Sequence, residues 1–159
     1  MSTHTATIVW QRQDQVFTDR RYSRAHRWQF DGGQDVLASS SPHVVRLPFS
    51  DPAGIDPEEA FVAGLSSCHM LWLLDIAAGQ GWRIDSYRDA AEGHMAKNAD
   101  GRLWMAEVVL KPHLVFSGER RPDDVAVALL HEQAHHECYL ANSVRSAVRV
   151  QGSWAWAGA

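Results

Sequence analysis

Residues 56–77 read DPEEAFVAGLSSCHMLWLLDIA, and their interpretation decides the fold. Asp56 is a good N-cap, Pro57 suits the first helical position, and Glu59 three residues on can close a capping box. Glu58 and Glu59 also place negative charge at the positive end of the helix dipole. From Ala60 to Leu74 there is no formally charged residue, and the apolar positions run round every face. The pattern predicts a central helix buried on all sides rather than a surface amphipathic one. Ser66, Ser67 and His69 interrupt the run, with Glu59 and Asp75 bounding it, so it falls short of a bilayer span. The helix is expected to stop near Gly79-Gln80-Gly81.

Before it lie three strand-like runs, Ala6–Gln11, His26–Phe30 and Val36–Ser40, the second ending in an Asp31-Gly32-Gly33 turn. Trp82–Met95 and Leu103–Phe116 follow as two long strand-like runs, with Asn98-Ala99-Asp100-Gly101 as the hairpin turn between them. A second helix is predicted from Pro122-Asp123-Asp124 to about Cys138, and a last strand within Ser143–Val150. Trp154-Ala155-Trp156 reads only as hydrophobic docking. The order βββ-α-ββ-α-β predicts an α+β fold with helices against antiparallel sheets, as one domain over residues 1–159.

The whole chain has 159 residues, 45% of them hydrophobic, enough for one well-cored domain. Its net charge of −4 argues against general nucleic-acid binding, which needs a basic face. The local cluster Arg20, Arg21, Arg24 and Arg27 reads as a solvated strand edge. MSTHTATIVWQRQ shows no basic stretch followed by an apolar core, so no secretory signal is expected and the cytoplasm is the default location. In that reducing compartment the two cysteines, Cys68 and Cys138, are inert, metal-bound or redox-active.

His131-Glu132-Gln133-Ala134-His135 matches the H-E-x-x-H of zinc hydrolases, in which two imidazoles share one helix face. A catalytic zinc needs a third protein ligand, and the extended pattern wants a glycine at position 138 and a histidine at 141. Cys138 and Ala141 stand there, and beyond Cys138 the chain has no His, Asp, Glu or Cys. A zinc site would need an unusual His131-His135-Cys138 set, with Cys68 or His69 as outside help. The favoured reading of His131, His135 and His136 is a polar stripe near a surface or subunit contact.

DPEEAFVAGLSSCHMLWLLDIA followed by HHECYLANSV resembles the OsmC/Ohr family of thiol-dependent peroxidases. YSRAHRWQFDGG and ASSSP are also similar to an OsmC-like branch. The matching positions are Pro57, Glu58, Cys68 and Cys138. The resemblance implies that a Cys68 thiolate attacks an organic hydroperoxide, releasing an alcohol and leaving a sulfenic acid. Cys138 then condenses with it to a disulfide that an external dithiol reduces. No cofactor or metal is called for. An N-terminal arginine completes the site in that family; Arg24 fits best, with Arg21 as runner-up, and Glu58 would hold the guanidinium. Ten residues of helix, roughly 15 Å, separate Glu58 from Cys68. Either the helix breaks near Gly64, or Arg24 bridges the gap, or one partner comes from another subunit. The resemblance implies an intertwined homodimer; the charge and the bounded apolar run call for no nucleic-acid or membrane partner. His69 reads as a packing or interface histidine, since neighbours on a helix point about 100° apart. Met70 to Leu73 read as core; if they line a pocket, they favour an apolar hydroperoxide over hydrogen peroxide. An OsmC-fold binding or stress-associated protein without peroxidase turnover is the alternative.

Overall fold

A computed structural model describes residues 2–159. Contacts divide it into two compact units, one ending at Ala60 and one from Phe61 to Ala159. The first unit carries an antiparallel meander of β1 (Ala6–Val9), β2 (His26–Phe30) and β3 (Asp35–Ala38). The turn between β2 and β3 uses Gly33 at φ +83°, a conformation open to glycine at little cost. Beyond β3, Ile55 bridges Ala38 in parallel, and Gly54 permits it. A Cβ on Gly54 would lie 2.8 Å from the Ala38 carbonyl carbon. That approach delivers the chain to Asp56, where the capping box forms as predicted. The Glu59 amide donates to Asp56 Oδ1 at 2.7 Å and the Asp56 amide to Glu59 Oε2 at 3.2 Å.

Helix α1 then runs unbroken over Pro57–Gly79, so no break occurs at Gly64. In the second unit follow β4 (Arg83–Asp89), β5 (Glu92–Lys97), β6 (Leu103–Leu110), β7 (Pro112–Ser117), α2 (Asp124–Glu137), β8 (Ala147–Val150) and β9 (Ser153–Trp156). Its strands make two three-stranded sheets, in the orders β4-β7-β9 and β5-β6-β8.

The fold is α+β, but three sequence expectations need correction. Each long run predicted between the helices is two strands. At Lys111 the chain changes sheets, because Pro112 lacks an N–H and the Lys111 amide turns to Asp89 Oδ1 at 2.6 Å. The sheets are also not purely antiparallel: β8 lies parallel to β6, and β9 parallel to β7. Finally, Trp154 and Trp156 belong to a ninth strand whose alternate residues face in, with Trp154 edge-on to Phe116.

Helix α1 buries Leu65, His69, Leu73 and Ala77, one stripe at four-residue spacing. Leu65 joins Val108 and Leu110 in one core cluster. Leu73 and Ala77 join Leu114, Phe116, Val127, Leu130 and Ala134 in another. Burial of every face is not reached within one chain, where Leu71 stays 60% exposed. The expectation that this run falls short of a bilayer span is corrected: over Pro57–Gly79 the helix is long and apolar enough to cross one, yet its buried stripe packs into protein.

Leu73 has no exposed surface, so Leu73→Ala should cost about 2–5 kcal/mol. Asp56→Ala, which removes the cap, should cost about 1 kcal/mol. Urea unfolding followed by circular dichroism checks both, and a Leu73→Ala cost no greater than the cap's would contradict the packing described.

Candidate active site: a pair of thiols between two helices

Helix α2 starts at an Asp123 cap, whose Oδ1 accepts the Ala126 amide at 2.8 Å, and ends at Cys138 as its C-cap. Val127, His131, Ala134 and Cys138 recur at spacings of four, three and four, so they share the inward face of the helix. Cys138 is consequently 1% exposed. Past it the chain turns through a 3-10 segment, Ala141–Ser143, and the Ala141 amide donates to Cys138 Sγ at 3.4 Å.

This segment closes on α1 where α1 is thinnest. A Cβ on Gly64 would meet Leu140 Cδ1 at 3.2 Å, so Gly64 lets the chain after Cys138 pack tightly against the helix. Cys68 sits one turn further on, beside the buried stripe, and is half-buried. The two cysteines, seventy positions apart, thereby become neighbours. Burial pushes the Cys138 thiol up to about 11, and hydrogen bonding and charge from Cys68 push it the same way. The Ala141 and Leu140 amides pull in the opposite direction without reversing the shift. Both cysteines are free thiols.

Cys68 opens onto a cavity of 320 Å³ shared with Leu71, Trp72, Asp75 and Tyr139. Positions 68, 71, 72 and 75 form one face of α1, and Tyr139 follows Cys138 directly. Tyr139 and Trp72 meet edge to face, with ring centroids 5.4 Å apart. Cys68 therefore has a solvent approach along aromatic and aliphatic walls, whereas Cys138 has none.

Beside the thiols lies a buried polar contact. His69 Nε2 and His131 Nδ1 are 3.0 Å apart and share one hydrogen bond. His69 is 1% and His131 8% exposed. Burial, joined by the charges of His131 and His135, lowers the His69 pKa to about 4, and burial also lowers that of His131. The outer nitrogens, His69 Nδ1 and His131 Nε2, have no partner. Gly152 abuts the latter so closely that a Cβ there would collide with the ring.

The expectation that His131 belongs to a polar stripe near a surface or subunit contact is corrected: its ring is buried against His69. It points inward because its spacing matches Val127 and Ala134. His131 spends Nδ1 on His69, Glu132 is exposed, and no three His, Cys, Asp or Glu among the described residues are grouped to hold a metal. The donor set does not fit the zinc alternative built on His131 and His135.

Arg24 and Glu58 belong to the first unit. The Arg24 guanidinium donates to the carbonyls of Arg20, at 3.0 Å, and Tyr22, and lies 3.9 Å over the Tyr22 ring. Glu58 is exposed on the first turn of α1. Among the described residues no salt bridge joins them, and the Arg24 guanidinium is held by carbonyls of its own loop. Arg21 is exposed, and its amide donates to Asp19 Oδ1 at 2.9 Å. Sequence reasoning missed the Cys68 cavity wall at Asp75 and Tyr139 and the His69–His131 bond. The helical spacing 68–72–75 was the available signal for Asp75.

A family model described as OsmC-like protein matches residues 50–152. No curated protein sequence matches the chain. Among solved structures, the chain is similar to an OsmC-like protein of unknown function from Vibrio cholerae. The two are 50% identical over 96% of this chain and 99% of that one, with a TM-score of 0.93. An organic hydroperoxide resistance protein from Elizabethkingia anophelis is 16% identical over 98% of this chain and 96% of that one, at a TM-score of 0.67. The organic hydroperoxide resistance protein OhrB of Bacillus subtilis is 19% identical over 97% and 98%, at 0.60. These last two likenesses are of fold.

The histidine pair sets a pH dependence. A folded pKa near 4 against an ordinary 6.5 means that the unfolded chain binds protons first as pH falls. Stability from this source is complete above about pH 6.5 and is lost as pH falls toward 4, by up to about 3 kcal/mol for His69. Urea midpoints between pH 7 and pH 4 should fall steeply in the native protein and less so in a His69→Leu/His131→Leu double variant. Equal slopes would show that the pair is not the source.

Proposed function

The chain belongs to the OsmC-like protein family, and from that premise we propose that it is a thiol-dependent peroxidase acting on organic hydroperoxides. The observation that carries this reading is the apposition of Cys68, open to a cavity, with the sealed Cys138 thiol.

Their unequal burial orders the steps. A peroxide can reach Cys68 through the cavity and cannot reach Cys138. The Cys68 thiolate attacks one oxygen of the O–O bond; the other leaves and, once protonated, is the alcohol. Cys68 is then a sulfenic acid. Cys138, held protonated by its burial, gives up its proton as its sulfur bonds to that of Cys68, and water departs. Two electrons have passed from the thiols to the peroxide, and an external dithiol returns them by exchange. The thiolate is the attacking form of a cysteine, so the proposal gives Cys68 a cationic partner, Arg24 first and Arg21 second, with Glu58 as its anchor in the same or a second copy. The carbonyls now holding Arg24 would have to release it.

A homodimer is part of the proposal. Outside the Cys68 cavity Leu129 and Leu140 are exposed, apolar surface that a second copy would cover. The cytoplasm, which supplies dithiols, is the proposed location.

After one equivalent of cumene hydroperoxide, mass spectrometry should find the Cys68 and Cys138 peptides joined within one chain. Cys138→Ser should stop at a sulfenic acid that dimedone traps, and Cys68→Ser should consume no peroxide. An unchanged pair of thiols after treatment would end this reading. Light scattering at micromolar concentration should give twice the chain mass; a monomer would remove the homodimer and any role for a second copy.

A further inference from the structure

The wall of the Cys68 cavity carries one charged group. Leu71, Trp72 and Tyr139 supply apolar surface, and Tyr139 adds a hydroxyl. Asp75 supplies a carboxylate, and among the described residues it takes part in no ion pair. It sits seven residues beyond Cys68, two turns along the same face, with Trp72 between them. The rise between the two positions is roughly 10 Å.

We propose that Asp75 is a specificity-determining residue, which makes the cavity select uncharged organic hydroperoxides over those that carry a carboxylate. The proposal deepens the peroxidase reading and rests on it. A hydroperoxide with its O–O bond at Cys68 gains aromatic surface when its carbon chain lies across the Trp72 and Tyr139 rings, and that path leads toward Asp75. An alkyl, aryl or esterified chain leaves that carboxylate solvated and gains the aromatic surface. A free fatty-acid chain that bends back along the same wall brings a second carboxylate beside the first, and the two like charges repel. The chain's net charge of −4 adds repulsion of the same sign. Hydrogen peroxide meets no charge penalty but has no apolar body to gain from the rings.

The test compares linoleic acid hydroperoxide with its methyl ester, which differ in that one charge. Both are used as monomers, with dithiothreitol as reductant. In the native protein kcat/KM for the ester should exceed that for the acid by about fivefold at low salt, and the ratio should shrink in high salt. Asp75→Asn should bring the ratio close to one, and Asp75→Lys should invert it. Thermal melts establish that both variants are folded. A ratio that is the same in all three proteins overturns the role of Asp75 while the peroxidase reading stands. Failure of both peroxides to oxidise Cys68 overturns the peroxidase reading and this proposal with it.

Discussion

A helix that is apolar on every face has no intrinsic preference for which face to bury. In α1 the choice is made by one stripe, Leu65, His69, Leu73 and Ala77, and the second unit's packing depends on that rotation. Leucines could exchange places with neighbouring leucines at modest cost. His69 cannot, because a buried imidazole without its partner loses a hydrogen bond and keeps the full cost of desolvation. The His69–His131 contact therefore fixes both the rotation of α1 and its register against α2. It is specific because it is polar: the wrong rotation strands two imidazoles.

That rotation places the sulfurs. With His69 turned inward, Cys68 falls on the edge of the buried stripe, close to α2 and still open to the cavity. With His131 turned inward, Cys138 ends the same inward face of α2. Gly64 removes the side chain that would hold the segment after α2 away. The thiols then differ in exposure, the property that two-cysteine chemistry uses to separate the attacked sulfur from the resolving one. A pair equally buried would leave neither sulfur reachable, and a pair equally open would not distinguish them.

The same arrangement leaves α1 with an apolar, partly aromatic face beside Cys68, bounded by Asp75. The apolar surface and the charge thus lie on the element that carries Cys68. Spacing along α1 sets the interval between the Cys68 sulfur and the Asp75 carboxylate.

Much of this was legible in the residues. The Asp56-Pro57-Glu58-Glu59 start, the Asp123 cap, the turn at Gly101 and the α+β order follow from local rules, because capping and turn geometry are satisfied within a few residues. The family resemblance of the cysteine spacings also lay in the sequence. What lay beyond it were decisions between distant segments. The split of two long runs at Asp89 and Lys111, the parallel pairing of β8 and β9, the inward turn of His131 and the hold of loop carbonyls on Arg24 are of this kind. Each is settled by which partner a backbone amide, an imidazole or a guanidinium finds once the chain has closed on itself. Local sequence names the groups that need a partner; only the folded chain supplies it.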